Sequence, residues 1–293
     1  MPRKNPILAV NKKRKYSRTS PKKKGVSCRS ARGKKRVLRD TPRWVYILLY
    51  VLIILVFSSG FYYFFIRPYA YRWRPCSNER EYGVCMPAGY EIHGIDISHY
   101  QGIVDWEKLK QSQSPYYPIH FVFVKATEGG DLNDDAFKQN FEAARKHGFV
   151  RGAYHFYNPA TSASKQADFF INTVHLDAGD LPPVLDVELT GKRKPDVLKR
   201  EVKTWLDKVE KHYRVKPIIY ASYKFKTRYL DDPIFDSYPY WIAHYYVDSV
   251  KYEGKWQFWQ HTDVGSISGI DEDVDLNVFN GTLEDLQDMT IKK

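Results

Sequence analysis

Only three cysteines occur in the 293 residues, at positions 28, 76 and 85, and none of the later two is placed like a thiol nucleophile. The chain also has no H-E-x-x-H, no G-x-S-x-G, and neither a G-x-G-x-x-G nor a Walker loop. Those absences remove a zinc helix, a serine elbow and the usual nucleotide cradles. No internal repeat is present. Acids are nearly missing from the N-terminus, where residues 1–43 hold 17 Lys and Arg against the single Asp40. Residues 86–293 reverse the balance, with 25 basic and 31 acidic residues. The overall charge of +12 therefore belongs to the tail, and a nucleic-acid partner is not expected for the remainder.

A long uncharged run follows the basic tail. From Trp44 to Ile66, 23 consecutive residues carry no charge, about 34 Å as a helix and sufficient to span a bilayer. The run exceeds the h-region of a cleaved signal peptide, and no clear small-residue cleavage site follows it. Basic residues crowd its N-terminal side, which places that side in the cytoplasm and residue 67 onward outside. The expected organisation is a basic, disordered cytoplasmic tail (1–43), a transmembrane anchor (44–66), a stalk (67–90), a globular domain (91–285) and a short C-terminal tail (286–293). Within the stalk, Cys76 and Cys85 in "CSNEREYGVC" are able to close a disulfide loop in an oxidising compartment, the alternative being two free thiols.

From residue 91 a rhythm begins. Strand-like runs occupy 91–98, 120–127, 149–157, 182–188 and 216–222, with helical segments at 103–112, 134–148, 161–175 and 194–213 between them. Alternating strand and helix implies parallel strands with crossover helices. After Tyr220 the pattern changes: 238–245, 255–262 and 273–279 are strands with connections too short for full crossovers. Five strands with helices and three largely without predict a trimmed TIM-like barrel in the α/β class, an open doubly wound sheet being the alternative.

The informative stretch is "LPPVLDVELT", residues 181–190. Its apolar residues mark a buried strand, yet Asp186 and Glu188 stand two apart, so alternation sends both carboxyls to one face. Asp96 lies toward the end of the first strand and Asp275 in the last, and strands one and eight are neighbours in a closed barrel. Four acids at one mouth fit glycoside hydrolysis, where crowding holds one carboxyl protonated as general acid. A hard-metal site for Ca²⁺ or Mg²⁺ is the competing chemistry. Tyr154, Tyr220, Trp241, Tyr245 and Trp259 fall near strand ends, where ring faces suit sugars. Asp271, Glu272 and Asp273 read as a surface loop, and His155 as structural.

Taken together, "HGIDISHYQGIVDW", "FVFVKATEG", "RGAYHFYNP", "LPPVLDVE", "YWIAHY", "WQFWQHT" and "VDLNVFNG" resemble, in order, the motifs of glycoside hydrolase family 25, the muramidases. The resemblance covers about residues 92–281. It implies a (β/α)5(β)3 barrel that cleaves, with retention and without metal or other cofactor, the β-1,4 bond between N-acetylmuramic acid and N-acetylglucosamine in peptidoglycan. By the same resemblance Glu188 is the general acid and base, and Asp186 is either nucleophile or steering group for a substrate acetamido group. Asp96 and Asp275 line the site, with Asp273 a neighbouring alternative. Tyr154, Tyr220, Trp241 and Gln260 contact substrate. Chitinase-like barrels resemble D-x-x-D-x-D-x-E, but Leu181 and Val184 occupy the earlier positions here. A non-catalytic wall-binding protein on the same barrel remains the alternative function.

Overall fold

The computed structural model describes residues 42–67, 76 and 79–292. The basic tail, except for its last two residues, and residues 68–75, 77 and 78 of the expected stalk lie outside them. The chain divides into two units, one ending at Phe65 and the other beginning at Ile66.

In the first unit, helix α1 (Arg43–Phe61) runs on into a π-helical turn over Tyr62–Ile66. Pro42 precedes it, with a fixed φ and no N–H to leave unsatisfied. None of its residues is buried. Arg43–Ile66 is long and apolar enough to cross a membrane, and it is apolar all round, as a span facing lipid requires.

The second unit is an eight-stranded barrel. Strands β3 (Ile92–Ile97), β4 (Ile119–Glu128), β6 (Val150–Phe156), β7 (Val184–Asp186), β8 (Ile218–Ser222), β9 (Tyr240–Ala243) and β10 (Phe258–Gly265) follow one another in parallel pairs. β11 (Val274–Phe279) then closes the ring, antiparallel to both β10 and β3. Helices α2 (Trp106–Gln111), α3 (Phe137–Lys146), α4 (Ala163–Thr173), α5 (Pro195–Tyr213) and α6 (Tyr223–Tyr229) follow the first five strands. β5 (Leu132–Asn133) only extends the edge of β4. The expected barrel is present, with the open sheet excluded by the β3–β4 and β11–β3 pairings.

Two apolar layers hold it together. Phe121, Phe123, Val184, Ile218, Trp241, Phe258 and Phe279 fill the interior, and a larger cluster lies between strands and helices. α5 shows how the sequence builds the outer layer. Pro195 sits at its first turn, and Leu198, Val202, Trp205, Leu206 and Val209 recur on one face, all buried. Interior space is set by two glycines. A Cβ at Gly94 would lie 2.4 Å from the Phe121 ring, and one at Gly152 2.6 Å from Phe123. The rings therefore take the room that side chains on β3 and β6 would have used.

α6, following the fifth strand, completes the five strand–helix units expected, and two short elements depart from the sequence expectation. α7 (Leu283–Met289) crosses the expected start of the C-terminal tail, and Leu286 is fully buried against the inner core. Its Thr282–Asp285 capping box is a local start signal too short to show as periodicity. Finally, part of the expected stalk is a hairpin, β1 (Arg80–Glu81) with β2 (Val84–Cys85), closed by a Cys76–Cys85 disulfide. Tyr82 at its tip is buried and donates its hydroxyl hydrogen bond to Tyr117 O at 2.8 Å, while its carbonyl accepts from Ser266 N at 2.9 Å. The ring of Tyr90, just beyond, meets Trp259 edge-on at 5.7 Å. This segment packs against the end of β10 and the connection between α2 and β4.

Candidate active site

The reversal of β11 decides where its acid lies. In parallel strands the mouth is at the C-terminal ends, whereas an antiparallel strand brings its first residues there. Asp275, second residue of β11, pairs directly with Asp96 near the end of β3. The next inward residue along β11 is Asn277, which pairs with Gly94. Asp186 ends β7, and Glu188 follows on the same face beyond Val187, whose N–H bonds Tyr220 O at 3.0 Å. All four acids line one cavity of about 240 Å³. Asp271, Glu272 and Asp273 are exposed, outside it.

A network fixes the floor. Oδ2 of Asp96 accepts hydrogen bonds from Asn277 Nδ2 at 2.7 Å and Gln260 Nε2 at 2.8 Å. Gln260 Oε1 in turn accepts from the hydroxyls of Tyr220 at 2.7 Å and Tyr245 at 2.6 Å. The Trp241 indole N–H donates to Asn277 Oδ1 at 2.7 Å, and its ring stacks on Phe123 at 4.5 Å. Trp241, Tyr220 and Gln260 are thus buried and committed to internal bonds. They line the floor of the cavity, and half-buried Tyr154 and Tyr245 and the exposed ring of Tyr100 line it too. The loop carrying Tyr100 is held by Gln101, whose side chain accepts from Ser98 N at 3.0 Å and donates to Asp273 O at 2.9 Å.

Burial and crowding raise every one of the four carboxyls. Asp96 rises to about 6 through burial, opposed by its hydrogen bonds from Asn277 and Gln260. Asp275 rises to about 9, through burial and then the adjacent Asp96. Burial and the close approach of the two carboxyls thus leave the facing pair sharing one proton at neutral pH. Asp186 is buried and pushed well above the carboxylate range, by desolvation and then by Glu188 and Asp96. Its Oδ1 has no hydrogen-bond partner among the described residues, a costly arrangement for a buried acceptor and one that a ligand donor would relieve. Glu188 stands at the rim, exposed as a residue, but its carboxyl is partly desolvated and also raised, with the Tyr220 hydroxyl and Lys125 opposing.

Lys125 and Asn277 went unread in the sequence. Lys125 lies in phase with Phe121 and Phe123 on β4, which points it inward, where it ion-pairs Glu128 at 2.8 Å and lowers the pKa of both Asp186 and Glu188. Its signal was a lone cation inside "FVFVKAT" at the interior phase. Asn277 had a similar one, two residues after Asp275. His155 is structural, as read, buried between Thr127 and Gln166 and stacked on Trp205. Among the described residues, no three His, Cys, Asp or Glu side chains are grouped to hold a metal ion.

The family model for "Glycosyl hydrolases family 25" matches residues 95–270. The chain belongs to glycoside hydrolase family 25. Among curated relatives of this family 25 hydrolase, YegX of Escherichia coli K12 is 44% identical over 218 residues, covering 74% of this chain and 79% of YegX. Lysozyme M1 of Streptomyces globisporus is 31% identical over 220 residues, 70% of this chain and 72% of that enzyme. Among solved structures, a family 25 glycosyl hydrolase from Bacillus anthracis superposes with a TM-score of 0.62 at 34% identity, covering 69% of this chain and 94% of that one. The family 25 barrel here is accordingly that of a glycoside hydrolase.

Proposed function

We propose that this family 25 hydrolase is a membrane-anchored muramidase, cleaving the β-1,4 bond between N-acetylmuramic acid and N-acetylglucosamine in peptidoglycan on the outer side of the cytoplasmic membrane. The observation that carries the reading is the pairing of a rim acid with a buried one: Glu188, raised and accessible, beside Asp186, raised and enclosed. Glu188 gives its proton to the leaving glycosidic oxygen and later takes one from water. Asp186 supports the sugar as positive charge develops. Its unpartnered Oδ1 suits the N–H of a substrate acetamido group, which favours retention by substrate assistance over a covalent bond to Asp186. Asp96 and Asp275 keep a charge and a proton beneath the ring, while Lys125 limits the repulsion among the acids. Relatives described as a lysozyme and as N,O-diacetylmuramidases support the substrate class.

Support for anchoring comes from α1, long and apolar enough to cross a membrane, and the basic residues before it favour a cytoplasmic N-terminus by the positive-inside tendency. The decisive assay is release of soluble muropeptides from purified peptidoglycan by the full chain in detergent, compared with Glu188→Gln. Loss of roughly 10²–10⁴ in rate is expected from removing a general acid. Equal activity in the variant would refute the assignment of Glu188. A non-catalytic wall-binding role would show as peptidoglycan retention without release.

A further inference from the structure

A second, larger cavity of about 610 Å³ opens on the other side of Glu188, bounded by the loops after β6 and β7 and by α6. Glu188 lines both cavities. The second has a different chemistry: Pro159, Leu189, Phe225 and Tyr229 give it apolar walls, Thr190 supplies a hydroxyl, and Lys192 stands at its lip. Lys192 is exposed and makes no ion pair among the described residues. The walls are preformed. Arg193 clamps the two loops together, its guanidinium donating to Pro159 O through Nε at 3.0 Å and through Nη2. Gly191 makes that closeness possible. It takes a left-handed φ of 56°, and a Cβ there would lie 2.6 Å from Pro159.

We infer that this groove binds the short peptide branch of the muramic acid, with Lys192 pairing a free carboxylate of that branch; the inference rests on the muramidase reading above. A polymer positioned with its scissile bond at Glu188 must continue past it, and the groove begins there. A sugar ring presents hydroxyls and an acetamide around its edge and needs several placed hydrogen-bonding groups. The groove offers Asn158 and Thr190 beside Glu188 and Lys192, and its remaining aliphatic and aromatic walls fit alanine methyls and the methylene chain of a diamino acid. The cation at the lip complements the one charge sign that such a peptide carries in quantity. Occupancy would tighten binding of peptide-bearing strands over bare glycan and make the enzyme selective for them.

The test compares two substrates for the full chain in detergent: glycan strands with intact peptides, and the same strands stripped by an amidase that cuts the lactyl–peptide bond. Intact strands are expected to show a kcat/KM about tenfold higher, the worth of one good charge-assisted contact. Lys192→Glu should bring that ratio close to one, and Lys192→Arg should retain most of it. A wild-type ratio near one overturns the inference, as does a ratio that survives Lys192→Glu; either result leaves the groove to a sugar. Cleavage of neither substrate overturns the muramidase reading itself, and so is distinguishable from failure of the groove alone.

Discussion

Replacing Asp275 by asparagine removes one of two carboxyls that face each other across the barrel seam, and the result on stability follows from their protonation. In the folded protein Asp275 keeps its proton up to about pH 9, whereas an unfolded aspartate loses it near 3.9. Between those values folding takes up a proton, so the stability contributed by this group falls as pH rises from about 4 to about 9. Each pH unit in that window is worth about 1.4 kcal/mol. The asparagine has no proton to take up, and its amide is able to donate to Asp96 in the same place. Its stability advantage over the parent should therefore grow by about 3 kcal/mol between pH 5 and pH 7.5. At about 2–4 °C per kcal/mol for a domain of this size, that is a difference of roughly 6–12 °C in the Tm shift. Buried histidines move stability the other way: His93 and His155 are held down to about 4 by burial, so acid weakens the fold through them. They are the same in both proteins and cancel in the comparison. The assay is thermal melting of parent and variant at the two pH values. An Asp275→Asn advantage that is the same at both, or a net loss at pH 7.5, would refute the shared-proton description.

Three further outcomes are expected. Lys125→Met removes the cation that lowers Asp186 and Glu188, so the alkaline limb of the kcat/KM profile should move to higher pH; a limb that stays in place or moves down contradicts Lys125 facing them. Gly94→Ala forces a Cβ to within 2.4 Å of Phe121, and should cost about 1–3 kcal/mol by chemical denaturation, as overpacking of a filled interior does. Tyr82→Ala should cost about 3–5 kcal/mol, the usual range for a large buried ring, because its hydroxyl and ring tie the disulfide hairpin to the barrel; a cost under 1 kcal/mol would show that the hairpin is incidental to the fold.

Much of the barrel was legible because its signals are local. Strand-like runs separated by helical segments marked the barrel, and two acids in an apolar strand marked Asp186 and Glu188 as candidates. What could not be read depends on direction and length. Nothing in "DVDLNVF" says that β11 runs antiparallel, yet only that reversal puts Asp275 at the mouth. Short elements such as α6 and α7, seven residues each, are too brief to show a helical period. Trp241 and Gln260 illustrate another limit. Both line the cavity, and the sequence did not show that their polar groups also bond Asn277, Asp96 and two tyrosines. A sequence shows which groups can bond, not which bonds they have already made.

The seam between β3 and β11 also sets a clock on activity. Asp96 meets Asn277 across 181 residues of chain, so its final surroundings depend on a strand that is among the last to be made. A ribosome delivers Asp186 and Glu188 well before Val274–Phe279, and domains fold as units once their chain is available. Until β11 docks, the barrel is open along one side and Asp96 faces water instead of Asn277 and Asp275. A truncated or stalled chain thus carries both central carboxyls without the enclosure that raises their proton affinity. The strand order makes the enclosure of Asp96 one of the last features of the barrel to form.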